Sequence, residues 1–106
     1  MTAYCFFDVV EVTDPEALEE YRRRVRNTVE HHGGRYLLVG GEIEAVEGDW
    51  RPTFPVLIEF PSLEHARRWY GSDEYQGLKE LRLSAVRNHA VLMEGLPQEF
   101  GAGRAA

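Results

Sequence analysis

The stretch from Glu47 to Tyr75 limits the fold most tightly. Glu47-Gly48-Asp49-Trp50-Arg51-Pro52 reads as a turn, and Val56-Leu57-Ile58-Glu59-Phe60 as a strand that is apolar on both sides and broken by one carboxylate. Pro61-Ser62 stops that strand and caps a helix that ends in the aromatic pair Trp69-Tyr70. A strand with one wet face alternates apolar and polar residues. This one puts Val56, Ile58 and Phe60 on one side and Leu57 on the other, with Glu59 as the polar exception. Residues 3–12 repeat the pattern, with Cys5, Phe7 and Val9 on one side and Tyr4, Phe6 and Val10 opposite. Both strands therefore call for cover on both faces.

The remaining elements follow from local signals. Asp14-Pro15 supplies an N-cap and a proline at the first helical position, and Leu18, Tyr21, Val25 and Val29 recur at helical spacing. Gly33-Gly34 ends that helix. Arg35–Val39 begins a second strand, Gly40-Gly41 marks a bulge or bend, and the strand is expected to resume through Ile43 and Val46. Residues 54–60 form the third strand. Gly71 breaks the next helix, and Ser72 caps a further helical segment carrying Tyr75, Leu78, Leu81 and Ala85. Asn88-His89 leads into a fourth strand over Ala90–Glu94.

The order is β-α-β-β-α-β, the ferredoxin-like α+β arrangement. It predicts a four-stranded antiparallel sheet in the order 4-1-3-2 with the helices on one face. Residues 1–96 are expected to be a single domain and 97–106 a flexible tail.

Helices on one face leave the second apolar face bare, and its simplest cover is another copy of the same sheet, giving a homodimer. The net charge of −6, from 12 basic and 18 acidic residues, argues against a nucleic-acid partner. The basic run Arg22-Arg23-Arg24 lies between Glu19-Glu20 and Glu30 and reads as a salt-bridged, solvated helix face. Cys5 is the single cysteine, which suits a reducing compartment. No apolar run approaches the roughly 20 residues of a membrane span, and Met1-Thr2-Ala3-Tyr4 lacks a basic leader. A cytoplasmic location without membrane contact is the expectation.

At this point the chain resembles the family called domain of unknown function 1330, within the dimeric α/β-barrel superfamily. The resemblance rests on Asp14-Pro15, Tyr21, Gly33-Gly34-Arg35-Tyr36, Gly40-Gly41, Glu47-Gly48-Asp49-Trp50-Arg51-Pro52, Ile58-Glu59-Phe60-Pro61, Ala66, Trp69-Tyr70, Ser72, Tyr75, Arg82 and Glu94-Gly95. It implies the same ferredoxin-like fold and sheet-to-sheet dimer. It brings no reaction with it. Wider relatives include cofactor-free monooxygenases, haem-binding enzymes and small-lactone isomerases, and function does not follow from such a fold.

Two carboxylates stand out as chemical candidates. Glu59, and more weakly Asp8, interrupt apolar strands, and a buried carboxylate in a cleft is suited to general-base work. The competing reading is a structural pair with Arg35, Arg51 or Arg82. Trp69 and Tyr70 read either as core or as the wall of a cleft between helix and sheet. Arg35 and Arg82 are candidates to hold a carboxylate or phosphate through the guanidinium fork, or equally to pair internally with Glu47, Glu59 or Glu94. His31 is a candidate cleft acid or base.

His31 and His32 point about 100° apart on a helix, and no metal-ligand spacing is present, so no metal or cofactor is expected. The favoured function is a homodimer that binds a small organic molecule between sheet and helices, with acid/base catalysis by Glu59 as one extension. The alternatives are a noncatalytic structural or regulatory homodimer, and a haem-binding or cofactor-free monooxygenase-like enzyme. The poor His/Cys layout weighs against haem.

Overall fold

The computed structural model describes residues 1–96; the expected tail at 97–106 lies outside the described residues. The elements are β1 (Ala3–Val12), α1 (Pro15–His31), β2 (Arg35–Val39), β3 (Pro55–Phe60), α2 (Leu63–Gly71), α3 (Asp73–Ala85) and β4 (Val86–Glu94). The strands form one antiparallel sheet in the order β2-β3-β1-β4. This is the ferredoxin-like order, with its second helix divided in two.

Local chemistry sets most boundaries. The Asp14 side chain accepts from the Ala17 N–H at 3.2 Å and opens α1, with Pro15 at the first helical position. Leu18, Tyr21, Val25 and Val29 form the buried stripe of this helix. Gly33, at φ 77, takes the left-handed conformation that ends it. Ser62 caps α2 by accepting from His65 N–H at 3.1 Å. The solvent side of α1 carries the expected ion pairs, Arg23 and Arg24 with Glu20, and Arg26 with Glu30.

Three boundaries depart from the sequence reading. The second strand does not resume after Gly40-Gly41. Both glycines have positive φ, and the Gly40 N–H donates to the Pro55 carbonyl at 2.7 Å, which turns the chain out of the sheet. The fourth strand begins at Val86 rather than Ala90, because β1 continues past an irregularity between Val9 and Glu11 and pairs Glu11 with Arg87 and Val12 with Val86. Ser72 makes no side-chain cap on α3; its hydroxyl donates to the Trp69 carbonyl at 2.8 Å.

The core lies between sheet and helices. Cys5, Phe7, Ile58 and Phe60 project from the sheet to meet Val25, Val29, Ala66, Trp69, Tyr75 and Leu78. On the opposite side, strand pairing places Leu38, Leu57, Phe6 and Val91 in one row across all four strands. Directly opposed side chains in such a ladder lie about 4.5–5.5 Å apart. The row is therefore a continuous apolar band, and Tyr4 and Met93 extend it in the next row.

Candidate functional site

A cavity of about 300 Å³ lies on the helix side of the sheet. Phe7 and Val9 of β1, Leu18 and Val25 of α1, and Val56 and Ile58 of β3 line it. Tyr21, Tyr36 and Phe54 add aromatic surface. The charged residues on its lining are Arg22, Arg26 and Arg82. Such a cavity, mostly apolar with few polar groups, has the size and character of small-molecule sites.

Arg82 is 3% exposed and comes from α3. Its Nη1 donates to Asn88 Oδ1 at 2.8 Å, and its Nε donates to the Tyr75 hydroxyl at 3.3 Å. The guanidinium carbon stands 4.9 Å from the Phe7 ring centroid. Its Nη2 is buried and has no hydrogen-bond partner among the described residues. Among the described residues, no carboxylate lies within ion-pair distance of it. Burial opposes its charge, but Tyr75 and Tyr21 outweigh that effect and hold Arg82 above its ordinary pKa.

The phenols continue the network. Tyr75 and Tyr21 hydroxyls are 2.8 Å apart. Burial raises the pKa of Tyr75 and of Tyr21, and Arg82 pulls against that shift in both. Burial likewise raises Tyr36. Both Tyr21 and Tyr36 line the cavity, so their neutral phenols are its other polar groups.

Phe54 is held in place by several contacts. Its N–H and that of Thr53 each donate to Asp8 Oδ1 at 2.8 Å, and the Val9 N–H donates to its carbonyl at 3.0 Å. The Arg22 guanidinium lies 5.6 Å from its ring centroid. Gly40, at φ 64, lets the ring pass where a β-carbon would stand 2.6 Å away.

Of the residues singled out from sequence, the structure brings Arg82 to this cavity and places the others elsewhere. Glu59 pairs with Arg35 at 2.8 Å. Its register opposite Tyr4 puts it on the face away from the helices, so it does not share a cleft with Trp69 or Arg82. Asp8 is buried, with no arginine partner among the described residues; it holds the turn before β3 through two backbone N–H groups. Asp8 pairs with Pro55 in β3, four residues from Glu59, or about 13 Å at the usual rise, so the two carboxylates do not form a dyad.

Trp69 is completely buried. It donates from Nε1 to Thr28 Oγ1 at 2.9 Å and stacks at 4.2 Å on Tyr75, as a core residue. Tyr70 lines a separate depression of about 180 Å³ with Cys5 and β4 residues. His31 is exposed and pairs with Glu74, tying the end of α1 to the start of α3. Among the described residues, no group of three His, Cys, Asp or Glu side chains could hold a metal ion.

Tyr21, Tyr36, Tyr75 and Phe54 were not anticipated as site residues. Tyr21 and Tyr75 were legible only as apolar positions on helices. The available signal was the hydroxyl itself, since a buried tyrosine needs a partner where phenylalanine does not.

Comparison with known proteins agrees with this architecture. A protein of unknown function from Rhodopseudomonas palustris is similar with a TM-score of 0.70 and 19% identity, over 91% of this chain and 83% of that one. A cofactor-independent oxygenase, SnoaB, from Streptomyces nogalater gives 0.56 and 12%, over 92% and 93%. A dimeric protein of unknown function and ferredoxin-like fold from Bacteroides fragilis gives 0.54 and 13%, over 89% and 96%. At these identities the likeness concerns the fold. No curated protein matches the chain. The family described as domain of unknown function (DUF1330) matches residues 2–96, and the chain belongs to it.

Proposed function

We propose that this protein binds a small, largely apolar organic molecule in the cavity between α1 and the sheet, and that it works as a pair of copies joined through the helix-free sheet face. The cavity carries the reading: about 300 Å³ of mostly apolar space in a chain whose core is otherwise densely filled by aromatic contacts. The space opens to solvent beside α1 and leaves Val39 exposed and Phe54 and Val56 only half-buried. A bound apolar molecule would cover that surface.

Pairing is supported by the apolar band Leu38–Leu57–Phe6–Val91 on the opposite face, and by the dimeric state given for the similar protein from Bacteroides fragilis. The Arg35–Glu59 pair beside the band supplies both charges to a self-complementary contact. A cytoplasmic setting accords with the lone buried thiol of Cys5.

Titration with neutral 2-naphthalenemethanol, followed by NMR of the methyl groups, tests the binding. The expected result is selective shifts at Leu18, Val25 and Val56, abolished by filling the space with Val56→Phe. Shifts spread over the surface, or unchanged by Val56→Phe, would refute it. The likeness to a cofactor-independent oxygenase favours a second reading in which the bound molecule also reacts. The Tyr75–Tyr21 hydroxyl pair beside Arg82 would then offer a hydrogen bond to an oxygen of the reacting molecule. Under either reading the carboxylates Glu59 and Asp8 act outside the cavity.

A further inference from the structure

We infer that the cavity selects an anion: its occupant is an apolar body carrying one acidic oxygen group, a carboxylate, phenolate or enolate, paired with Arg82. This rests on the proposed small-molecule site and adds the charge of the ligand. Two independent observations carry it.

The first is Arg82 itself. A buried guanidinium ordinarily has a carboxylate partner, because an uncompensated charge away from water is strongly unfavourable. Among the described residues Arg82 has only neutral partners, the Tyr75 hydroxyl, the Asn88 amide oxygen and the face of Phe7, and its Nη2 has no acceptor. A buried donor left unpaired is rare and costly, and here it belongs to a residue that lines an empty space.

The second is the sign of the lining. The chain as a whole carries −6, with 18 acidic residues against 12 basic. Around the cavity this balance is reversed. Arg22, Arg26 and Arg82 line it, and among the described residues no carboxylate does. Arg26 is engaged by Glu30, and Arg22 lies 3.9 Å from Glu19 and over Phe54, so both are tied to the surface of α1. Arg82 is left as the buried cation whose charge no group among the described residues balances.

The neutral phenols suit the same occupant. Tyr75 already accepts from Arg82, and the Tyr75–Tyr21 pair leaves a hydroxyl able to donate to an oxyanion. Apolar walls would hold the body of the ligand, and the Arg82 end would hold its charge. Charge-assisted hydrogen bonds in such surroundings are about twice as strong as neutral ones.

Three probes of one shape test the inference: 2-naphthoate, 2-naphthalenemethanol and 2-naphthylmethylammonium, titrated against the whole protein by calorimetry at neutral pH. Naphthoate is expected to bind about ten-fold or more tighter than the alcohol, with the ammonium weakest. Arg82→Gln should bring naphthoate down to the level of the alcohol measured in the same variant. If that variant does not fold by circular dichroism, Arg82→Lys is read instead. It keeps the charge but loses the planar fork, and should weaken naphthoate selectively. Equal affinities for the three probes, or a preference for the ammonium, would overturn the anion selectivity while leaving the cavity a binding site. A preference for naphthoate that survives in the folded Arg82 variant would remove Arg82 as the anchor. Binding of none of the three would defeat the small-molecule reading itself.

Discussion

At the scale of single residues, the buried phenols and the Cys5 thiol leave a signature in stability against pH. Burial raises Tyr21, Tyr36 and Tyr75 above the ordinary tyrosine value of 10.0, and pushes Cys5 from 9.0 up to about 12. Each of these groups holds its proton more tightly folded than unfolded. Its stabilisation is therefore complete below the unfolded pKa and is lost as pH rises towards the folded one. The thiol starts to contribute this loss above pH 9.0 and the phenols above 10.0, each at about 1.4 kcal/mol per pH unit. Urea unfolding is expected to show a stability that falls steeply above about pH 10, and Tyr21→Phe should make that fall shallower by about one proton. A curve flat to about pH 11 would contradict the burial of these groups. Trp69→Phe, which gives up the bond to Thr28 and some packing, should cost about 1–3 kcal/mol in the same assay.

Elements are held by a few polar contacts that can be cut singly. Asp8→Ala removes the acceptor for the Thr53 and Phe54 N–H groups, and should cost about 1–3 kcal/mol while freeing Phe54 beside the cavity. Hydrogen exchange at residues 53 and 54 should speed up, whereas exchange in α1 should not; protection retained in the variant would mean the turn is held by packing alone. Ser62→Ala removes the cap of α2 and should cost about 1 kcal/mol, measured by thermal unfolding. Gly40→Ala places a β-carbon against the Phe54 ring at a positive φ, so it should disturb the cavity as well as stability. The Arg35–Glu59 pair is a contrast. Arg35 is 72% exposed in the single chain, and a pair of that kind contributes about 0–1 kcal/mol.

For the whole molecule, the two faces of the sheet divide the work. One face is covered by three helices and carries the open cavity beside α1; the other carries the apolar band from Leu38 to Val91. Leu57→Asp puts a charge in the middle of that band without touching the helix side. Sedimentation at micromolar concentration is expected to show a dimer for the unaltered protein and a monomer for the variant, with the probe binding of the cavity retained. An unaltered protein that sediments as a monomer would remove the reason offered for the bare face. Among the described residues no helix is long and apolar enough to cross a membrane.

The order of elements was legible in the chain because each boundary has a local cause: Asp14-Pro15, Gly33 and Pro61-Ser62 act on their immediate neighbours. So was the need to cover both faces, since alternation along a strand assigns each side chain to a face wherever the strand finally lies. Other features depend on how elements meet. The pairing of Glu59 with Arg35 follows from the β2–β3 register, and the full length of β4 from how far β1 extends. The cavity and its polar end are tertiary throughout. Tyr21 and Tyr75 are 54 positions apart, and their hydroxyls meet because α1 packs on α3. Periodicity marks both as apolar helix positions, and the chemistry of the guanidinium fork leaves Arg82 either to pair internally or to hold an anion. Only the packing of α3 against β1 and β4 buries Arg82 against Phe7 and Asn88, with no acid beside it among the described residues, because side-chain spacing along one element does not specify what the next one brings to meet it.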